Sequence, residues 1–218
     1  MKEIVTIDGP AGAGKSHISR EVASRLGYTY LDTGAMYRAA GLFARQNMVP
    51  VDDEKMVAEI LPQMEMEFRD GRILLNGRDV SGLIRTPEID TLSSAISRLP
   101  CVRARLTELQ RQMGKAGGIV AEGRDMGTVV FPDARHKFFL TATPEERARR
   151  RALQMREQGK RGDDIDYHSI LAAINARDAA DSNRETAPMR KADDALEIDS
   201  TNLEPEEVIR IILDKVVS

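Results

Sequence analysis

The sequence predicts a three-layer α/β fold, in which helices cover both faces of a parallel sheet. Short apolar runs typical of buried strands alternate with segments whose apolar residues recur every three or four positions. A glycine-containing loop at 9–16 joins the first such strand, at 4–7, to the first helical segment. With 218 residues, the chain has the length of one α/β domain with a small insertion.

The first part of the chain begins this alternation. Ile18, Val22 and Leu26 stand four residues apart, which places them on one face of a helix after the loop. A strand, a helix and a further strand in this order are typical of a parallel sheet. The other elements predicted here are a strand at 28–31 and helices at about 35–47 and 54–61.

The stretch from about 63 to 85 has a different character. Residues 64–69 alternate between apolar and polar, which is the period of a half-exposed strand. An Asp-Gly turn signal at 70–71 leads to a return strand at 72–75, and an Asn-Gly signal follows at 76–77. We therefore predict a small antiparallel insert that is separate from the parallel sheet.

Helical spacing returns in the second half of the chain. Thr143, Pro144 and Glu146 have the pattern of a helix start with a capping box, in which Thr143 and Glu146 bond each other's backbone N–H groups. A polar loop is predicted at 159–166. The other elements predicted here are helices over 89–96, 102–113, 166–181 and 208–216, and strands at 119–121, 137–141 and 196–198.

The composition excludes several classes of protein. The net charge of −3, from 32 basic and 35 acidic residues, argues against a general nucleic-acid grip, which shows a basic excess. The single cysteine, Cys101, excludes an internal disulfide and suits a reducing cytosol. No apolar run approaches the roughly 18 residues of a membrane span. We expect a monomeric, cytoplasmic protein with no nucleic-acid or membrane partner.

The loop at 9–16 matches the phosphate-binding (P-loop) pattern G-x-x-x-x-G-K-S/T in full, between a strand and a helix. Glycines let the backbone turn its N–H groups toward phosphate oxygens, and the helix N-terminus favours an anion. Lys15 is predicted to reach the β- and γ-phosphates of ATP, and the Ser16 hydroxyl to bind Mg²⁺. The residues predicted to bind ATP are Gly9, Pro10, Ala11, Gly12, Ala13, Gly14, Lys15, Ser16 and His17.

A further ligand for Mg²⁺ is expected from a carboxylate at the end of a strand. Glu122 ends the apolar run at 119–121, and Asp32 ends the strand at 28–31. Either could hold the metal through water, and either could instead have a structural capping role. The predicted metal ligands are Ser16, Glu122 and Asp32.

The helix predicted at 166–181 carries charges where its apolar stripe should continue. Charges in the path of a buried face are costly unless they are paired or face a ligand, so they indicate the wall of an anionic site. The alternative is a helix end in solvent with ion pairs one turn apart. The apolar stripe is Tyr167, Ile170, Leu171 and Ile174, and the charges that continue it are Arg177, Asp178, Asp181 and Arg184.

Four arginines crowd the helix that follows residue 143. A solvated helix face is the ordinary explanation, and a nucleic-acid patch would need aromatic partners and a basic excess. In a phosphoryl-transfer enzyme, arginines on a closing lid neutralise charge on the transferring group. The cluster is Arg147, Arg149, Arg150 and Arg151, and the residues predicted to be catalytic are Lys15, Arg147, Arg151 and Arg177.

The loop at 123–127 follows the strand that ends at Glu122. The carboxyl ends of strands in such sheets are where ligands bind. Arg124 could meet a phosphate and Asp125 a base amino group. The alternative is an internal Arg124–Asp125 pair that shapes the loop.

With these segments, the sequence resembles the bacterial cytidylate kinases of the nucleoside monophosphate kinase family. The resemblance covers nearly the whole chain, and its most specific segment is G-R-D-M-G-T-V-V-F-P-D at 123–133. The P-loop alone is not specific. The other matching segments are 7–16, L-D-T-G-A-M-Y-R at 31–38, 79–86, 194–195 and 199–201.

The resemblance implies transfer of the γ-phosphoryl group of ATP to CMP or dCMP, which gives ADP and CDP or dCDP. It also implies a P-loop fold with a parallel five-stranded core, a lid, and a monophosphate-binding region enlarged by the antiparallel insert. The implied regions are the core at about 1–35, 86–143 and 182–218, the monophosphate-binding region at about 36–85, and the lid at about 144–181.

The resemblance further implies a CMP pocket. Three arginines of this set suit the monophosphate, at positions 38, 103 and 124, and the polar residues at 94, 125, 181 and 184 suit the base and sugar. Two positions depart from the family pattern: His17 stands where threonine is usual, and Thr33 where serine is common. The implied CMP residues are Thr33, Arg38, Ser94, Arg103, Arg124, Asp125, Asp181 and Arg184.

Two rival functions stay open from the sequence. A kinase for another acceptor, such as UMP, AMP or a small metabolite, would have the same P-loop. Only the residues around the acceptor distinguish one acceptor from another. A GTP-binding switch would need an N-K-x-D motif. The nearest string, at 175–178, lacks the lysine and lies inside a predicted helix.

Overall fold

The protein was analysed as a computed structural model that describes residues 2–69, 71–157, 159 and 166–217. The chain forms two compact units. The P-loop unit comprises Met1–Tyr30 and Gly118–Ser218, and the middle unit comprises Leu31–Gly117. Apart from residues 159 and 166, the loop predicted at 159–166 lies outside the described residues.

The strands form two sheets of different kinds. They are β1 (Ile4–Asp8), β2 (Thr29–Asp32), β3 (Met66–Arg69), β4 (Arg72–Leu75), β5 (Arg78–Asp79), β6 (Ile119–Glu122), β7 (His136–Thr141) and β8 (Leu196–Asp199). A parallel five-stranded sheet has the order β2-β6-β1-β7-β8, and an antiparallel three-stranded sheet has the order β3-β4-β5. The predicted fold class is thereby confirmed.

Helices alternate with the parallel strands. They are α1 (Lys15–Leu26), α2 (Thr33–Gln46), α3 (Glu54–Ile60), α4 (Pro87–Ile96), α5 (Pro100–Gly114), α6 (Pro144–Glu157), α7 (Tyr167–Ser182) and α8 (Pro205–Val217). A 3-10 turn at Leu61–Gln63 and a π-helical turn at Met126–Val130 complete the helical elements of the described chain. Within these ranges, no helix combines the length and the apolar character that a membrane crossing requires.

The core of the P-loop unit lies around β1, the middle strand of the parallel sheet. Val5 and Ile7 are fully buried there, and β1 pairs with β6 on one side and β7 on the other. Helices α1 and α8 pack against each other and contribute Ile18, Val22 and Ile212 to the same core. Each such side chain contributes about 1.5–3 kcal/mol by leaving water. A strand buried on both faces is a continuous apolar run, which explains why 4–7 could be predicted.

The register of the sheet sets where the P-loop begins. Ile7 of β1 lies opposite Glu122, the last residue of β6. Gly9 follows β1 with a φ of 142°, and a Cβ at this position would collide with the carbonyl oxygen of Leu140 in β7. Only glycine fits so close to the neighbouring strand. The P-loop and Glu122 consequently lie at the same, carboxyl-terminal edge of the sheet.

In the middle unit, α2 packs against α4 and α5, and the antiparallel sheet confirms the predicted insert. Met66 pairs with Leu75 across the first hairpin. The second hairpin turns at Asn76 and Gly77, whose φ values of 47° and 76° are both positive, as a type I′ turn requires. Ile73 and Leu75 on one face of the sheet are buried.

The start of α6 corrects one prediction. Thr143 Oγ1 accepts the Glu146 N–H at 3.3 Å, as predicted. The reciprocal bond is not formed, because the Thr143 N–H donates to Thr201 Oγ1 at 3.0 Å. The Glu146 carboxylate instead accepts from Arg149 and Arg150. Bonds between two charged groups are stronger than a bond to a neutral N–H, so only half of the capping box forms.

Candidate active site

Three glycines shape the loop between β1 and α1. Gly9, Gly12 and Gly14 have φ values of 142°, 79° and 90°, in the region that favours glycine. Gly14 occupies the N-cap of α1 and has no side chain that could accept the N–H groups of the first turn. These groups are therefore available to an anion at the helix N-terminus.

Lys15 lies at the base of this loop and is 4% exposed. Its Nζ donates to the carbonyl oxygen of Pro10 at 2.7 Å. Burial and the charge of Arg124 lower its pKa to about 7, against the opposing charge of Glu122. A buried ammonium in this state is stabilised when a polyphosphate lies beside it. The position of Lys15 thus suits the predicted contact with phosphate.

Ser16 and Glu122 form a pair of oxygen ligands beside the P-loop. Ser16 Oγ donates to Glu122 Oε1 at 2.7 Å, and the Tyr30 hydroxyl donates to Oε2. This donor set fits Mg²⁺, which prefers oxygen and takes few protein ligands when it binds together with phosphates. The described residues contain no group of three or more His, Cys, Asp or Glu side chains that could hold a metal without a substrate.

Asp32, the other predicted metal ligand, caps a helix. Its Oδ1 accepts the Ala35 N–H at 2.8 Å as the N-cap of α2. Its Oδ2 lies 3.8 Å from Arg85. The structure gives Asp32 the capping role that the sequence had left open, and its part in metal binding stays a prediction.

Arg147 holds the backbone of the P-loop. Its side chain is 4% exposed, and Nη1 donates to the Ala11 carbonyl at 3.0 Å and to Asp178 Oδ2 at 2.6 Å. Its Nε donates to the Ala142 carbonyl at 3.0 Å. The sequence predicts a lid arginine that neutralises charge on the transferring group, with a solvated helix face as the alternative. In the structure Arg147 is not solvated but buried between α6, α7 and the P-loop, because it lies on the inward face of α6 with Ala148.

Three of the charges on and just after α7 have ion-pair partners within the P-loop unit. Asp178 binds Arg147, and Asp181 Oδ2 accepts from Arg124 Nε at 3.1 Å. Arg184 Nη1 lies 3.7 Å from Asp181 Oδ1. These half-buried charges, which continue the apolar stripe, are thus paired. Pairing offsets the free-energy cost of removing a charge from water.

The ends of the α7 stripe differ from the prediction. Ile174 is buried, but Tyr167 is exposed and donates its hydroxyl to the Glu145 carbonyl at 3.3 Å. Tyr167 is the first residue of α7, where the helix has no preceding turn to cover it. Arg177 is exposed, yet its charge is close enough to lower the pKa of Lys15.

The loop after β6 is held by α7. Arg124 Nη1 donates to the Gly123 carbonyl at 3.1 Å, and its ion pair is with Asp181. This pairing of Arg124 with α7 differs from the internal Arg124–Asp125 pair considered from the sequence. Asp125 is buried, and its carbonyl oxygen accepts the Val130 N–H at 3.2 Å, which closes the π-helical turn.

The eight predicted CMP residues divide equally between the two units. In the middle unit, Arg38 Nε donates to Asp90 Oδ1 at 2.7 Å, and the Arg103 guanidinium carbon lies 5.5 Å from the centre of the Tyr37 ring. Arg103 and Thr33 are buried. The set comprises Thr33, Arg38, Ser94 (exposed on α4) and Arg103 in the middle unit, and Arg124, Asp125, Asp181 and Arg184 in the P-loop unit.

A model of the family described as "Cytidylate kinase" matches residues 5–218 of the chain. The chain belongs to the cytidylate kinase family. Membership makes it a nucleoside monophosphate kinase and not the GTP-binding switch considered from the sequence.

Relatives in this family match nearly the whole chain. Cytidylate kinase of Syntrophotalea carbinolica is 49% identical over 98% of this chain and 91% of its own length. Cytidylate kinase of Caldicellulosiruptor bescii is 47% identical over 98% of this chain and 96% of its own length. A bifunctional pantoate ligase/cytidylate kinase of Prochlorococcus marinus is 48% identical over 97% of this chain but only 44% of its own length.

Solved structures of distant sequence share the fold of this cytidylate kinase family member. An uncharacterised protein of Eubacterium ventriosum aligns with a TM-score of 0.53 at 11% identity, over 100% of this chain and 99% of its own. Shikimate kinase of Bacteroides thetaiotaomicron aligns with a TM-score of 0.50 at 12% identity, over 99% of each chain. At these identities the likeness concerns the fold alone.

Two residues beside the P-loop were not among the predicted catalytic or metal-binding residues. Arg150 Nη1 lies 4.0 Å from the position of a Cβ on Gly14, and its guanidinium is held by Glu146 and by the Ser200 carbonyl. Its position four residues after Glu146 was a signal for this pairing. Arg151, which was predicted to be catalytic, is exposed and donates to Gln154 at 2.7 Å, and its catalytic role stays a prediction. The Tyr30 bond to Glu122 had no signal in the sequence.

Proposed function

We propose that this nucleoside monophosphate kinase transfers the γ-phosphoryl group of ATP to CMP or dCMP, and releases ADP and CDP or dCDP. One observation carries the proposal. Ser16 of the P-loop donates to Glu122 at 2.7 Å, and Glu122 is followed directly by the 123–127 loop that is expected to meet the acceptor. Groups suited to a donor and to an acceptor thus lie next to each other within the P-loop unit. The proposal includes a monomeric cytoplasmic enzyme, and the single cysteine suits a reducing cytosol.

The proposed reaction needs no covalent intermediate with the protein. A phosphate oxygen of the monophosphate attacks the γ-phosphorus of ATP. The new P–O bond forms as the bond to the β,γ-bridging oxygen breaks, and the electron pair leaves with ADP. The attacking phosphate is already ionised at neutral pH, so no general base is required. The protein acts through positioning and charge.

The donor phosphates are proposed to bind the P-loop N–H groups and Lys15. Lys15 Nζ would exchange its bond to the Pro10 carbonyl for bonds to β- and γ-phosphate oxygens. Ser16 and Glu122 would hold Mg²⁺, which supplies charge neutralisation at these oxygens when bound. Arg151 and Arg177 would stabilise the charge that spreads over the transferring group, while Arg147 would act by holding the P-loop.

The acceptor is proposed to use the eight residues that match the family pattern. Arg38, Arg103 and Arg124 suit the monophosphate, and Thr33 offers a hydroxyl. The base and sugar are proposed to meet Ser94, Asp125, Asp181 and Arg184. The core, monophosphate-binding and lid regions, with the boundaries expected from the resemblance, form part of the same proposal.

A panel of acceptors tests the function. Initial rates with ATP and Mg²⁺ are measured for CMP, dCMP, UMP and AMP by coupling ADP release to a dehydrogenase. We expect CMP and dCMP to give the highest kcat/KM. Equal rates with CMP and AMP would overturn the cytosine assignment and favour a different monophosphate. Lys15→Ala is the negative control, and full turnover by this variant would remove the P-loop from the mechanism.

A further inference from the structure

Asp8 joins the end of β1 to the loop that follows β6. It is the last residue of β1, directly before Gly9 of the P-loop, and it is 4% exposed. Its Oδ1 accepts the Met126 N–H at 2.9 Å, and its Oδ2 accepts the Gly127 N–H at 2.7 Å. One carboxylate thus uses both oxygens on the backbone of a segment more than a hundred positions away in the chain.

The contact between Asp8 and this loop is close. A Cβ on Gly127 would lie 3.1 Å from Thr6 Oγ1, 3.2 Å from Lys137 Cδ and 3.4 Å from Asp8 Oδ2. The loop backbone therefore packs directly against β1 and β7. A buried carboxylate is costly, and two N–H bonds in fixed geometry offset that cost.

The loop that Asp8 holds carries two of the groups expected to meet the acceptor. Arg124 and Asp125 lie directly before Met126, and the acceptor loop is here defined as 123–127. Asp8 itself lies directly before Gly9, the first residue of the P-loop. Its carboxylate is therefore a direct link between the backbone that grips ATP and the backbone that presents Arg124 and Asp125.

We propose that Asp8 is a positioning residue, which holds the acceptor loop in register with the P-loop so that the two substrates are aligned for transfer. This inference rests on the proposed function. Asp8 touches neither substrate and acts through the backbone of Met126 and Gly127. Misplacement of reacting groups by about 1 Å costs on the order of a hundredfold in rate, so the link has kinetic consequences.

Asp8→Asn tests the proposal with almost no change of volume. Asparagine keeps one acceptor oxygen and turns an NH₂ group toward the second backbone N–H, so one of the two bonds is lost. We expect kcat with CMP to fall about tenfold or more, while the Kd of a non-hydrolysable ATP analogue changes less than threefold. Hydrogen exchange should accelerate in peptides that cover 123–130 and stay unchanged in α1.

The control is Asp53→Asn. Asp53 also accepts a backbone N–H, from Met56 at 3.0 Å, but it is exposed in the middle unit. This variant should keep wild-type kinetics. If Asp8 had a purely structural role, Asp8→Asn would instead weaken the binding of both substrates and accelerate hydrogen exchange in α1 as well. That result would overturn the proposal.

Two further outcomes separate this inference from the proposed function. If the wild-type protein does not phosphorylate CMP, the proposed function fails, and the exchange measurement alone decides whether Asp8 holds the loop. If Asp8→Asn does not fold, Gly127→Ala replaces it, because it keeps the carboxylate and displaces the loop. Wild-type kinetics and exchange in a folded Gly127→Ala protein would overturn the proposal.

Discussion

We expect the protonation of Lys15 to respond to bound nucleotide. Burial lowers its pKa to about 7. A lysine whose folded-state pKa is lowered contributes stability at high pH, which is lost as the pH falls through the folded-state value. The lowered pKa makes the neutral form of Lys15 accessible at pH 8 in the free protein, and bound phosphates raise the pKa again.

Binding of an ATP analogue at pH 8 should accordingly take up protons, to at most about one per site, since a neutral amine becomes an ammonium beside phosphate. Calorimetric titrations in buffers of different ionisation enthalpy measure this number. Lys15→Arg keeps the cation and stays charged at this pH, so it should bind without uptake. The same uptake in Lys15→Arg would assign the proton to another group.

Glu122 and Asp32 are a second test at the residue scale, because the sequence left both open as metal ligands. Glu122 lies against Ser16, whereas Asp32 caps α2. Glu122→Gln should raise the Mg²⁺ concentration for half-maximal activity about tenfold, which corresponds to a loss of about 1.4 kcal/mol. Asp32→Asn should have little effect, because asparagine is an equally good N-cap. If magnesium titrations show the larger increase for Asp32→Asn, the metal ligand is Asp32 and not Glu122.

At the scale of elements, one arginine connects two helices with the P-loop. Arg147 of α6 binds Asp178 of α7 and the Ala11 carbonyl. Asp178→Ala should lower the free energy of unfolding by about 2–3 kcal/mol, less than for a fully buried pair because Asp178 is partly exposed. The freed arginine should also hold Ala11 less firmly and raise the KM for ATP more than the KM for CMP.

Urea denaturation and steady-state kinetics measure both effects. The matched control is Arg149→Lys, at an exposed ion pair with Glu146 on the same helix, which should change stability by less than about 0.5 kcal/mol. Unchanged stability in Asp178→Ala would show that the pair does not hold the helices together.

The elements themselves were predictable where the signal was local. The apolar run of β1 and the four-residue spacing of apolar residues in α1 are patterns of residues close together in the sequence. The Thr143 N–H donates to Thr201 and not to the predicted Glu146 carboxylate, and Arg147 and Asp8 have partners 136 and 118 positions away. Periodicity carries no information on such contacts, because packing selects them only after the strands have paired.

At the scale of the whole molecule, both ends of the chain build the P-loop unit. Its central pairing joins Ile4 to Ile119, so β1 and β6 meet across the sequence of the middle unit. The predicted CMP residues follow the same division, with four in each unit. The position of the P-loop could be predicted from one motif, but this division could not, since it depends on which residues each unit buries.

We expect an ATP analogue and CMP each to raise the melting temperature, and we expect different substitutions to remove the two shifts. A ligand at a hundredfold its Kd adds about 2.7 kcal/mol, or roughly 5–10 °C in melting temperature for a chain of this size. Lys15→Ala should lose the shift caused by an ATP analogue and keep the shift caused by CMP. Asp181→Asn should do the reverse, because it breaks the Arg124–Asp181 pair and leaves the P-loop intact. Thermal melts followed by circular dichroism measure the shifts, and an equal loss of both in Asp181→Asn would contradict the assignment of Asp181 to the acceptor.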